Sequence, residues 1–202
     1  VEISGKYKIG TRRFGSINWI GAWTLYKKEV LRFLIVWIQT LFSPLITSLL
    51  FLSVLSLAIG NDRGDVLGVP FIVFLAPGLI AMQIIQQAFS HSSSSFMIGK
   101  IQGNIVDLVY APLSAGEVTL AVTLASVTRS VLIAVISLLV FYLFIDLEIK
   151  NFITLVAFTL LSAFSLGALG IIAGLWAEKF DHMATVTNFV IIPLSFLSGT
   201  FY

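Results

Sequence analysis

Apolar runs of membrane-crossing length alternate along this chain with short polar intervals, and that alternation predicts an all-α polytopic membrane protein. A helical span needs about 20 predominantly apolar residues to cross about 30 Å of hydrocarbon. Stretches at 34–60, 66–89, 114–145, 152–177 and 183–202 meet that length. The first two and the last two carry no charge, and the third, from Val118 onward, is interrupted only by Arg129. NDRGD (Asn61 to Asp65), DLEIK (Asp146 to Lys150) and EKFDH (Glu178 to His182) are the turns between them. The expectation is five visible spans in one transmembrane domain over residues 1–202. Because the chain begins at Val1 and ends at Tyr202 within an apolar run, the domain is expected to be trimmed at both ends.

One polar interval is too long for a turn. Residues 90–113 begin with a serine run, pass Gly99 and Gly103, and predict a short amphipathic helix around Ile105, Val106, Leu108 and Val109 with Asp107 on its wet side. Pro112 stops that helix. Ser114 and Glu117 have capping-box spacing, in which the serine oxygen takes an orphan amide and the glutamate reaches back to the cap residue's amide, so a long helix is expected from Ser114. A short helix held between two spans can be gripped by a soluble motor.

Before the first span, Trp19, Trp23, Tyr26, Val30 and Phe33 recur at spacings of four and three, which puts them on one helical face. Lys27, Lys28, Glu29 and Arg32 lie off it. A helix over 16–33 with tryptophan and lysine in this arrangement suits the headgroup layer; the alternative is that it forms the lower end of the first span.

Composition agrees with the pattern. The chain is 58% hydrophobic and 11% charged, far from the quarter-charged composition of a soluble domain, and its mean hydropathy is +1.02. A net charge of +2 gives nucleic-acid binding no electrostatic basis. With no cysteine there are no disulfides or thiolate metal sites. The first fifteen residues are polar and basic and contain no apolar signal-like run, so the first span is expected to act as its own insertion signal. Lys6, Lys8, Arg12, Arg13, Lys27, Lys28, Arg32, Lys100 and Lys179 fall on one side of the spans and only Arg63 and Lys150 on the other. By the positive-inside rule the first side is cytoplasmic, together with the N-terminus and the 90–113 loop.

Few residues carry candidate chemistry. Arg129, an intramembrane charge, is a functional candidate by default. However, the helix over 114–144 exceeds the hydrocarbon thickness by about 15 Å, so a structural or snorkelling arginine is preferred to a pathway residue. Gly99-Lys100 resembles the end of a phosphate-binding loop, but Ser94 stands at the first glycine position and Ile101 at the hydroxyl position, so ATP is not expected to bind here. His91 and His182 are expected to be solvated loop residues without metal-ligand spacing. Asp107, Glu117, Glu178 and Asp181 are explained by capping and solvation, leaving no catalytic or metal site. Gly167, Gly170 and Gly174 give the fourth span a small-residue face for close helix packing, and Pro44, Pro77 and Pro193 permit kinks.

The basic segment through Lys28-Glu29, the Lys100 to Glu117 stretch KIQGNIVDLVYAPLSAGE and the Leu175 to Tyr202 stretch LWAEKFDHMATVTNFVIIPLSFLSGTFY together resemble the membrane permease of type-2 ABC exporters. That resemblance implies a six-span bacterial inner-membrane subunit that dimerises with a second copy and pairs with a separate ABC ATP-binding subunit, which holds the ATP and magnesium; this chain would need no cofactor. It implies a substrate that is a drug-like molecule or a lipid-linked polysaccharide. It also implies ATPase contacts at Lys27, Lys28, Glu29, Lys100, Gln102, Gly103, Asp107, Pro112, Ser114 and Glu117. Two other functions compete. An ion-coupled secondary transporter needs polar or acidic groups near the midplane, and four of the spans contain no acidic residue. A membrane assembly or scaffold protein needs no capped helix overshooting the bilayer.

Overall fold

The computed structural model describes residues 17–59, 66, 68–145, 147 and 151–198. Lys6, Lys8, Arg12, Arg13, Arg63, Lys150 and the turns containing Asp62 and Asp146 lie outside them. The described chain is helical: α1 is Trp19–Ile35, α2 Ser43–Ile59, α3 Phe71–Ile101, α4 Ile105–Tyr110, α5 Ala115–Tyr142, α6 Phe152–Trp176, α7 Phe180–Val186 and α8 Ile192–Phe196. Four helical stretches are long and apolar enough to cross a membrane: Ile38–Ala58, Phe71–Ile101, Ala115–Tyr142 and Phe152–Trp176. In the region expected as a fifth span, the described residues form α7, a π-helical segment and α8, none of membrane-crossing length by itself.

α3 is the axis of the bundle. It packs on α2, α5, α6 and α8, and Leu75, Ala76, Leu79, Ala88, Phe89 and Met97 from it are buried in the main apolar core. The small-residue face of α6 makes this close packing possible. A β-carbon at Gly170 would lie 2.6 Å from the Phe89 carbonyl oxygen, and one at Gly174 would lie 2.7 Å from that of Ser93. Gly167 meets Ser126 of α5 in the same way.

α3 also differs from expectation. The interval assigned to a loop from Ser90 is helical as far as Ile101, with His91, Ser92 and Ser93 buried. Serine is polar enough to look like a loop in sequence, yet here its small side chain lets α6 approach. His91, expected to be solvated, is fully enclosed and meets Phe33 edge-on, with ring centroids 5.6 Å apart.

The prolines coincide with two helical defects. A π-helical segment, Ile38–Phe42, precedes Pro44, and another, Thr187–Ile191, precedes Pro193. Proline lacks the amide that would bond the carbonyl four residues earlier, and its ring crowds that carbonyl; a wider turn relieves the crowding. Thr40 satisfies part of the first defect, its hydroxyl lying 3.0 Å from the carbonyl oxygens of both Phe33 and Val36. α1 thus meets α2 at a break and turns away to pack on α5.

Candidate functional site: the α4 junction

Where α3 ends, Gly103 turns the chain with φ of +76°, a left-handed conformation that a side chain disfavours. The six-residue α4 follows. Its inner residues, Ile105 and Leu108, pack against Leu25, Phe96, Ala121, Val122 and Ile171. Val106, Asp107, Val109 and Tyr110 face outward, with Tyr110 83% exposed. α4 is therefore an amphipathic element whose outer face combines an aromatic ring, two valines and a carboxylate.

A single buried carboxylate ties this element to two helices. The capping box at the start of α5 is complete: the Glu117 amide donates to Ser114 Oγ at 3.3 Å, and the Ser114 amide donates to Glu117 Oε2 at 2.7 Å. The other oxygen of Glu117 accepts from the Asn18 amide at 2.6 Å. Asn18 is the N-cap of α1: its Oδ1 accepts from the Gly21 amide at 2.9 Å, and its Nδ2 donates to the Pro112 carbonyl at 3.2 Å. Helix starts expose unpaired amides and positive dipole ends, so one glutamate satisfies both. Gly21 completes the fit, since a β-carbon there would lie 2.7 Å from Leu113 Cδ2.

The residues expected to contact a partner separate into two groups. Lys27, Lys28, Gln102, Gly103, Asp107 and Pro112 are exposed, and Ser114 is half-buried. Glu29 and Glu117 are buried and serve internal contacts. Lys100 turns sideways, its Nζ donating to the Leu175 carbonyl and, at 3.0 Å, to that of Ala177; it places a cation at the C-terminus of α6, where carbonyls are left over. Asn18 escaped sequence reasoning, although Asn before a helical run is a recognisable N-cap signal.

The aromatic stripe expected on α1 divides. Phe33 is buried, whereas Trp19 and Trp23 are exposed. The protein-facing ladder is instead Leu25, Glu29 and Phe33, at a spacing of four. Trp19, Trp23 and Tyr26 line a groove of about 510 Å³ with Leu120, Leu124 and Thr128 of α5, and Tyr26 and Thr128 hydroxyls meet at 2.9 Å. Arg129, for which a structural or snorkelling place is expected, turns inward. Its Nη2 donates to Gln87 Oε1 of α3 at 2.6 Å, and its Nε is enclosed without a hydrogen-bond partner. Among the described residues no group of His, Cys, Asp or Glu could hold a metal ion.

This arrangement, a short amphipathic helix fixed between two long apolar helices, coincides with a family match: the model of the ABC-2 type transporter matches residues 21–202. The chain belongs to the ABC-2 type transporter family. An inner membrane transport permease, YadH, of Escherichia coli strain K12 is 30% identical over 186 residues, 92% of this chain and 73% of the relative. Nodulation protein J of Rhizobium leguminosarum bv. trifolii is 25% identical over 199 residues, 93% of this chain and 71% of the relative. No solved structure matches. The ABC-2 chain is thus a membrane permease of an ABC transporter, and its family implies a partner ATP-binding subunit.

Proposed function

We propose that this permease exports an amphipathic molecule, drug-like or a lipid-linked polysaccharide, across the bacterial inner membrane as a homodimer, driven by a separate ATP-binding subunit. The observation that carries the reading is the α4 junction. Its outer face offers Tyr110, Val109 and Asp107 to a partner, while its base is joined through Pro112, Ser114, Glu117 and Asn18 to the starts of α5 and α1. A push on α4 therefore reaches two helices through buried and partly buried hydrogen bonds rather than through a slack loop. The lysine and arginine distribution supports a cytoplasmic position for this end, where the ATPase would stand. ATP and magnesium belong to that partner on this reading, since Gly99-Lys100 lacks the first loop glycine and the following hydroxyl of a phosphate-binding loop.

Reconstitution in vesicles tests the reading. The permease alone should show no saturable ATP hydrolysis, and adding its partner ATP-binding subunit should give ATP-dependent outward movement of substrate. Hydrolysis by the permease alone, or substrate movement driven by an ion gradient without ATP, would overturn it.

A further inference from the structure

α1 and α5 are joined at two points, with a hollow between them that the α4 junction leaves unused. At one end the Asn18 amide donates to Glu117 Oε1 at 2.6 Å; at the other the hydroxyls of Tyr26 and Thr128 meet at 2.9 Å. The groove, of about 510 Å³, has Ala22 of α1 and Gly116 and Ala121 of α5 in its wall, and a β-carbon at Gly116 would meet nothing within 4 Å. Small side chains thus leave the space open. Its size lies in the range of about 300 to 1,000 Å³ usual for small-molecule sites. The Trp23 and Tyr26 rings are stacked, with centroids 5.2 Å apart, so one wall is already set before anything binds.

The chemistry of the walls selects the occupant. Every hydroxyl and carboxylate among them is engaged within the protein: Thr128 Oγ1 also donates to the Leu124 carbonyl at 2.9 Å, and Ser114 and Glu117 serve the capping box. The other lining side chains are apolar apart from the indoles of Trp19 and Trp23, which are 72% and 65% exposed. A peptide or polar ligand would leave its own donors and acceptors unmatched in such a groove, whereas a hydrocarbon chain has none to satisfy. α5 is a helix of membrane-crossing length, so one wall of the groove belongs to a span. Trp19, Trp23 and Lys27 follow at a spacing of four and form one exposed row along α1. Two indoles and an ammonium in a row are groups of the headgroup layer, and the ammonium favours a headgroup of negative charge.

We infer that the α1–α5 groove is a binding site for an anionic phospholipid of the cytoplasmic leaflet, with one acyl chain among Ala22, Leu120, Ala121 and Leu124 and its phosphate beside Lys27. Lys27 thereby meets a lipid in place of the ATPase contact expected from the family resemblance. Lys28, next in sequence, lies about 100° further around the helix, off the Trp19–Trp23–Lys27 row, and has no share in the site. This site goes beyond the permease reading. It is measured on the permease without its ATP-binding subunit, so the two can fail separately.

The test uses the permease purified in a neutral detergent, stripped of lipid and titrated with phosphatidylglycerol or phosphatidylcholine of equal chain length, with native mass spectrometry counting the bound lipid. One phosphatidylglycerol per chain should bind saturably, with a half-saturating concentration about fivefold below that of phosphatidylcholine, the effect of one lysine near an anionic headgroup. Lys27→Gln should remove that preference and Lys28→Gln should keep it. Gly116→Leu extends a side chain into the open space and should raise the half-saturating concentration of both lipids at least tenfold. Ala22→Phe fills the groove from the other helix and should do the same, so the outcome does not hang on the folding of one variant. Equal binding of the two lipids by the wild type, uptake that never saturates, or unchanged binding by both filled variants would overturn the site. Loss of dimers in the filled variants with lipid binding unchanged would assign the groove to a second copy and overturn it too.

Discussion

Glu117 is 6% exposed and accepts amides from two helix starts, one on each oxygen. Replacing it with alanine leaves both amides unpaired in a buried place, at a cost of roughly 3 kcal/mol. Ser114→Ala loses one cap and costs about 1 kcal/mol. Thermal unfolding of the solubilised permease should therefore rank wild type above Ser114→Ala and Ser114→Ala above Glu117→Ala; equal stability of the two variants would show that the link to Asn18 carries nothing. Glycines give a second contrast at this scale. Gly170→Ala forces a methyl group against the Phe89 carbonyl of α3 and should destabilise by about 1 to 3 kcal/mol. Gly116, also helical, has nothing within 4 Å of an added β-carbon, so Gly116→Ala should stabilise by about 0.5 kcal/mol through the unfolded chain. Melting curves of both variants should move in opposite directions.

Among the elements, α4 and α5 were legible because their signals are local. A proline stop, a serine with a glutamate three residues on, and alternating apolar positions each fix a boundary without knowledge of the rest of the fold. The end of α3 was not legible, because Ser90 to Ser95 is polar and only the approach of α6 makes it interior. Hydropathy records what a residue would prefer, whereas Gly170 and Gly174 decide what the serines meet. The same limit hid the inward turn of Arg129, since Gln87 is 42 positions away in sequence. Three glutamines on α3 were likewise silent in sequence, and in the fold they reach different helices: Gln83 donates to the Pro44 carbonyl at 2.9 Å, Gln86 to Ser195 at 2.9 Å, and Gln87 accepts from Arg129. A prediction follows for accessibility. A cysteine replacing Ser93, which is 2% exposed, should resist an impermeant thiol reagent from both sides of the membrane. Val109→Cys should react from the cytoplasmic side alone, and its labelling from outside intact cells would reverse the topology.

Taken as a whole, the molecule has two ends with different expected neighbours. At one end α3, α4 and α5 meet, with the start of α1 bonded to the start of α5; at the other, α5 ends at Tyr142. α3 and α5, at 31 and 28 residues, are about 46 and 42 Å long. Both exceed the hydrocarbon thickness of about 30 Å, so they can carry α4 clear of the bilayer. The central claim is that the α4 face is where the ATP-binding subunit docks. Tyr110 and Leu143 form a matched pair for testing it, because they are 83% and 80% exposed and sit at opposite ends. The direct measurement places a photo-crosslinking phenylalanine analogue at each position in turn, in cells that co-express the partner ATP-binding subunit. The account predicts a crosslinked permease–ATPase product from position 110 and none from position 143. A product from position 143, or no product from position 110 in a complex that still co-purifies, would contradict it.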